Sequence, residues 1–294
     1  MRRVAIIGGG HNGLVCAAYL AKAGLDVSVF ERRHILGGAA VTEELLPGYK
    51  FSRASYLAGL LRPQIIKDLE LEKRGFEYIP RSPSSFTPTK PEDPVNKGKY
   101  LMLGTSAEED WKSIAQFSER DADAFVRYED FLGQVRSILQ PFIDDAPPDI
   151  TEGKLAEKMK TLSTLSTMIK VGYKNRQALV PFYELFTGPA QTILDRWFES
   201  DILKTTLATD AVIGAMISPK MNGSAYVLLH HVMGEAAGKR GVWSYVRGGM
   251  GAVSDAIAAA ARASGAALHT GTEVRRILYE GGRVRGLLFA DGSR

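Results

Sequence analysis

Residues 4–40 read VAIIGGGHNGLVCAAYLAKAGLDVSVFERRHILGGAA, and this stretch decides the fold. Val4 to Ile7 form an apolar, β-branched run with no polar face, the pattern of a strand buried on both sides of a parallel sheet. Gly8, Gly10 and Gly13 follow in G-x-G-x-x-G register. Leu14 to Ala23 then read as a small-residue helix closed by Gly24, and Val27 to Phe30 as a second strand ending at Glu31. Each part has a physical task in a βαβ unit that holds a dinucleotide. Gly8 permits the tight turn, Gly10 lets the backbone approach a pyrophosphate, and Gly13 lets helix and strand pack closely. The free N–H groups and dipole of the helix start face the phosphates. Glu31, 18 residues beyond Gly13, is placed to accept hydrogen bonds from a ribose.

The next residues bear on which dinucleotide is held. Arg32 and Arg33 suit a 2′-phosphate, but the carboxylate of Glu31 repels one. Downstream, Leu36-Gly37-Gly38-Ala39-Ala40 puts a second glycine pair in the loop after the second strand. A nicotinamide nucleotide does not need that pair, whereas backbone N–H groups there suit the long extended FAD. FAD is therefore the expected cofactor. His11 and Asn12 lie inside the phosphate loop, where they either start the helix or position the cofactor.

Three further stretches carry a resemblance. GGGHNGLVCAAYLAKAG (8–24), FERRHILGGAAVTEELLPGYKFSRASY (30–56) and YVRGGMGAVSDAIAAAARASGAALHTGTEVRRIL (245–278) resemble the phytoene desaturase, or carotenoid/retinoid oxidoreductase, family of FAD enzymes. RWFESDILKTTLATDAVIGAM (196–216) and YVLLHHVMGE (226–235) extend it through the middle of the chain. The resemblance implies an FAD-dependent oxidoreductase moving a hydride from a C–H bond of an apolar substrate to the flavin. Oxygen or a quinone would then be the electron acceptor. It implies cofactor contacts at Gly8, Gly10, His11, Asn12, Gly13, Glu31, Arg32, Gly37, Gly38 and Ala39, and a backbone contact to the adenine edge at Val274. For animal members it implies the mitochondrial matrix. Related enzymes continue with further strands and a second glycine-rich flavin segment near their C-terminus. None follows Asp291-Gly292-Ser293-Arg294, so a C-terminally truncated form is expected. A flavin-binding but catalytically silent protein acting through partners, or a flavin-dependent isomerase, is the alternative reading.

Composition sets outer bounds. The 294 residues are 45% apolar and carry 37 basic and 33 acidic side chains, a net +4 too dispersed to argue for nucleic acid. Apolar runs are too short to span a bilayer, so at most peripheral membrane contact is expected. Arg2-Arg3 lead straight into the first strand, leaving no room for a secretory h-region, and no amphipathic transit peptide is visible. Cys16 is the only cysteine, which excludes dithiol–disulfide exchange on the chain's own residues. It is expected to be a small buried hydrophobe. His11, His34, His230, His231 and His269 show no metal-ligand spacing. Of the pair His230-His231, one is expected in a core and the other facing a cavity.

The expected architecture is α/β: a Rossmann-like FAD-binding domain over 1–60 and 241–294, interrupted by a mostly helical α+β substrate or cap region over 61–240. Five prolines between Ile79 and Pro94 mark loop or edge strand. Tyr100 to Leu103 read as a strand, and Phe125, Tyr128, Phe131, Leu132, Val135, Ile138, Leu139 and Phe142 as a helical stripe stopped by Pro141 and Pro147-Pro148. Further helices are expected over 155–173, 177–186, 191–199 and 201–208. After Val242, a flexible glycine turn (248–251), a helix (252–264), a strand (267–270) and a hairpin around Glu280-Gly281-Gly282 are expected.

Overall fold

The computed structural model of the chain describes residues 2–144 and 155–294, so the expected stop at Pro147-Pro148 lies outside the described residues. The chain forms two compact units, one of Met1–Arg81 with Glu235–Arg294 and the other of Ser82–Gly234. Leu69, Leu71 and Phe76 are buried in the core of the first unit, so residues 61–81 join it rather than the cap region in which they were expected.

The first unit opens with strand β1 (Arg3–Ile7), helix α1 (His11–Lys22) and strand β2 (Asp26–Phe30), the βαβ unit read from the sequence. β1 and β2 pair in parallel from Arg3 opposite Asp26 to Ile7 opposite Phe30. A hairpin, β3 (Thr42–Leu46) and β4 (Tyr49–Ser52), turns at Pro47-Gly48. A short helix α2 (Pro63–Asp68) with proline at its first position and a strand β5 (Tyr78–Ile79) complete this part.

The second unit begins with an antiparallel pair, β6 (Ser85–Pro88) and β7 (Tyr100–Leu103). Seven helices follow among the described residues: α3 (Ala107–Ala115), α4 (Glu119–Leu139), α5 (Leu155–Lys174), α6 (Leu179–Thr187), α7 (Ala190–Trp197), α8 (Asp201–Ala208) and α9 (Ser224–Val232). The stripe on α4 is core: Phe125, Tyr128, Leu132 and Val135 bury against Leu194, Phe198, Leu203 and Leu229. Tyr128 meets Phe198 edge-on at 5.1 Å. Asp121, fully buried, accepts hydrogen bonds from Glu199 N at 2.9 Å and Ser200 N at 2.8 Å, tying α4 to the start of α8.

The chain then returns to the first unit through β8 (Glu235–Ala236), β9 (Lys239–Arg240) and β10 (Tyr245–Val246), the last pairing with β5. Helix α10 (Met250–Ala263) leads to β11 (Ala267–His269), which joins the far edge of β2 in parallel. The hairpin β12 (Val274–Glu280) and β13 (Arg283–Phe289) ends the described fold. α1 and α10 pack on each other in one buried cluster rich in small side chains, among them Ala17, Ala18 and Ala21 of α1 and Ala256 and Ala260 of α10.

Two sequence expectations need correcting. β1 is not buried on both sides: Val4 and Ile6 pack on the helix layer, while Ala5 is exposed and Ile7 is 50% exposed. The reason is that side chains alternate across the strand: Val4 and Ile6 point to the face covered by α1 and α10, and Ala5 and Ile7 to the opposite face. Cys16 is exposed, because the buried stripe of α1 runs through Leu14, Ala17, Ala18 and Ala21 and Cys16 lies off it.

Candidate functional site: a dinucleotide cradle

The two glycine clusters read separately in the sequence meet in space. Gly37 N donates to Gly9 O at 2.7 Å, and Gly10 and Gly37 form an isolated parallel bridge. The phosphate loop and the second glycine loop thus form one continuous backbone surface at the carboxyl end of the sheet. This is the end at which open α/β sheets bind ligands.

Two glycines in this surface are held to glycine by the protein itself, and a third is not. A Cβ on Gly13 would lie 2.4 Å from Gly8 O, so the close approach of α1 to the loop requires its absence. Gly37 has φ +119°, and a Cβ there would lie 2.4 Å from Ala40 O. At Gly10 the protein imposes no such demand: φ is −71°, and the nearest atom to an added Cβ is Gly38 Cα at 3.8 Å. A methyl at Gly10 would make only an ordinary contact with the protein, so the protein's own packing does not require glycine there.

Gly10 also caps α1 with no side-chain hydrogen bond, leaving the first-turn N–H groups of His11, Asn12 and Gly13 to a ligand. His11 and Asn12 are exposed at this helix start. The other glycine-led helix start in the unit is different. Met250 N donates to Ser52 Oγ at 3.0 Å and Gly251 N to Thr42 Oγ1 at 2.9 Å, so the expected flexible turn before α10 is tied down by hydroxyls. Sequence reading missed the β3–β4 hairpin that supplies both hydroxyls, although its Pro47-Gly48 turn was a legible signal.

Glu31 is 8% exposed at the end of β2. Its Oε2 accepts from Gly9 N at 2.8 Å and its Oε1 from Arg33 N at 2.9 Å. Each carboxylate oxygen has two lone pairs, so one acceptor site per oxygen stays free for a pair of ribose hydroxyls. Arg33 turns away to Glu43 (Nη2–Oε2 2.8 Å), which Arg53 also contacts at 3.2 Å. The Arg33 guanidinium, followed by Arg53, holds the Glu43 carboxyl below its ordinary range. Arg32 is exposed beside this cluster, as are Gly38 and Ala39 on the glycine loop.

Val274 opens β12 opposite Phe289, whose ring meets Phe30 edge-on at 5.0 Å. Thr272 N donates to Glu31 O and Gly271 N to Arg33 O, at 2.9 and 2.8 Å. The structure therefore brings Gly8, Gly10, His11, Asn12, Gly13, Glu31, Arg32, Gly37, Gly38, Ala39 and the start of β12 at Val274 to one end of the first unit.

Of the histidine pair, one member is in a core as expected. His231 is buried with Nδ1 2.8 Å from Val227 O, and His230 is exposed on α9. Partial burial, then the neighbouring His231, pushes the His230 imidazole below its ordinary value of 6.5. Among the described residues no group of three or more His, Cys, Asp or Glu side chains is placed to hold a metal. No described helix is long and apolar enough to cross a membrane.

This geometry defines a Rossmann-like dinucleotide-binding protein of mixed α/β architecture. Comparison with known proteins agrees. Residues 6–63 match the NAD(P)-binding Rossmann-like domain family, and residues 187–294 match the flavin containing amine oxidoreductase family. The chain is 52% identical over 293 residues to pyridine nucleotide-disulfide oxidoreductase domain-containing protein 2 of Rattus norvegicus, across 98% of this chain and 50% of that protein. It is 26% identical over 295 residues to phytoene desaturase of Neurospora crassa, across 96% of this chain and 43% of that one. Among solved structures, a redesigned putrescine oxidase shares the fold with a TM-score of 0.55 at 16% identity, over 99% of this chain and 55% of that one. The chain spans about half the length of the curated relatives it matches.

Proposed function

We propose that this chain is the cofactor-binding part of an FAD-dependent oxidoreductase acting on an apolar substrate. The observation that carries the cofactor reading is Gly10: glycine stands where the protein's own packing would admit a side chain, at an uncapped helix start. FAD fits the residues present. The first-turn N–H groups of α1 would meet the pyrophosphate, Glu31 would accept from the ribose hydroxyls, and the Gly37-Gly38 backbone would border the extended ligand. Glu31 beside the ribose disfavours a 2′-phosphate. The adenine edge would lie at the start of β12, at Val274.

When bound, the flavin supplies the redox chemistry, accepting a hydride from a substrate C–H bond. The chain's task is then to bind and orient, and the proton that a neighbouring substrate carbon sheds as the hydride leaves passes to water. The matches to a flavin containing amine oxidoreductase family and to a phytoene desaturase support oxidoreductase chemistry, and the latter supports an apolar substrate; oxygen or a quinone is the acceptor we propose. We propose the mitochondrial matrix as its location, from the resemblance to animal members of the family.

The test is to purify this chain and, in parallel, a form extended to the length of its relatives, desalt both, and record visible spectra. Flavin retained by the extended form and bleached anaerobically by a polyene hydrocarbon supports the proposal. Retained flavin that no substrate reduces favours the silent, partner-dependent reading. A colourless extended form overturns the cofactor assignment.

A further inference from the structure

Of the chain's four asparagines, Asn12 and Asn222 are followed by glycine. Asn-Gly is the pair most open to deamidation, because glycine carries no side chain to shield its nitrogen from the neighbouring carboxamide. The two sites differ in how that nitrogen is held. Gly223 N donates to Thr187 O at 3.0 Å and to Gly188 O at 3.1 Å, so releasing it for reaction breaks a shared hydrogen bond. Gly13 N lies in the first turn of α1, where no carbonyl of the helix reaches it, and Gly10 offers no side-chain cap. Asn12 is exposed beside it, and among the described residues nothing hydrogen-bonds its carboxamide.

Ring closure requires Asn12 to leave the helical backbone conformation, which an uncapped first turn permits at low cost. The Gly13 nitrogen then attacks the Asn12 carboxamide carbon, its proton leaves with the amide as ammonia, and a succinimide closes. Water reopens the ring, giving aspartate or isoaspartate at position 12. Both products oppose a nucleotide. Aspartate sets a negative charge where the first-turn N–H groups would face a pyrophosphate, although the same charge suits an empty helix start, whose first turn holds no acid. Isoaspartate lengthens the main chain by a carbon next to Gly13, which is packed so tightly that a Cβ there would lie 2.4 Å from Gly8 O. A bound pyrophosphate has the reverse effect. It takes the Gly13 N–H as a donor and holds the first turn helical, withdrawing the conformation from which the ring closes.

We propose that Asn12–Gly13 is a deamidation site open only in the empty cradle: a bound adenine nucleotide protects it, and its loss exposes the chain to conversion into a form with an acidic phosphate loop that no longer binds one. The proposal rests on the cofactor reading above.

In the experiment, the intact chain is freed of nucleotide and incubated in mildly alkaline buffer with and without ADP. Peptide mass spectrometry reads amide against acid at positions 12 and 222 over time, and calorimetry on the fresh chain gives the ADP Kd. Without ADP, Asn12 is expected to convert faster than Asn222, with ADP binding lost in step. ADP at about ten times its Kd leaves about one loop in ten empty and should slow conversion at Asn12 about tenfold, with Asn222 unaffected. Asn12→Asp is expected to keep the native urea midpoint while weakening ADP binding at least ~10-fold. Asn12→Gln, whose longer side chain disfavours the ring, is expected to stay unconverted. Persistence of the Asn12 amide in the empty chain would overturn the proposal. So would equal rates with and without bound ADP, or native ADP affinity in Asn12→Asp. A fresh chain that gives no binding heat with ADP is a failure of the cofactor reading itself, and the proposal falls with it.

Discussion

Gly10 and Gly13 sit three residues apart in one motif, yet different forces keep them glycine. Gly13→Ala drives a methyl into Gly8 O and should destabilise the first unit by about 1–3 kcal/mol, read as a lowered denaturation midpoint. Gly10→Ala meets nothing closer than 3.8 Å and should leave the midpoint unchanged while weakening ADP or FAD binding at least ~10-fold. Loss of stability in Gly10→Ala with binding intact would show that the open space is structural. Glu31 combines both roles. Glu31→Ala leaves the Gly9 N–H buried without its acceptor and should cost about 1–3 kcal/mol, with ribose binding lost as well. Glu31→Gln, which keeps one acceptor oxygen, should recover most of the stability. His230 provides a pH signature. Its folded value lies below 6.5, so below that pH the unfolded chain binds the extra proton and stability falls as pH drops from 6.5 towards the folded value. Urea midpoints at about pH 7.5 and about pH 5 should differ more for the native chain than for His230→Gln.

At the scale of elements, the local patterns were legible wherever one period dominated. β2, α8 and the β12–β13 hairpin stand within a residue or two of their expected places, since each is bounded by glycine, proline or serine at a turn. What could not be read was set by neighbours distant in sequence. The burial of β1 depends on which face of the sheet the helices cover, and the exposure of Cys16 on which face of α1 meets α10. The hydroxyl caps from Thr42 and Ser52 join residues about two hundred positions from α10. At the candidate site, the identities of both glycine loops were legible, but their contact through Gly37 N and Gly9 O was not. Asp121 is the clearest long-range element contact. Its carboxylate terminates two backbone N–H groups at the head of α8, and Asp121→Ala should cost about 2–4 kcal/mol. A urea midpoint unchanged in that variant would show that water replaces the carboxylate.

At the scale of the molecule, two units divide the work. The first concentrates glycine backbone, a buried carboxylate and an uncapped helix start at one sheet end, the requirements of a nucleotide's phosphates and ribose. The second is helical, with an aromatic core and an outward apolar face on α5. This division makes the central claim testable without knowing the substrate, because the cradle addresses the ADP moiety rather than the flavin ring. The measurement is a calorimetric titration of the purified chain with FAD, ADP and riboflavin. FAD should bind, ADP should compete with it, and riboflavin alone should give no heat. Binding of riboflavin with no binding of ADP would contradict the account.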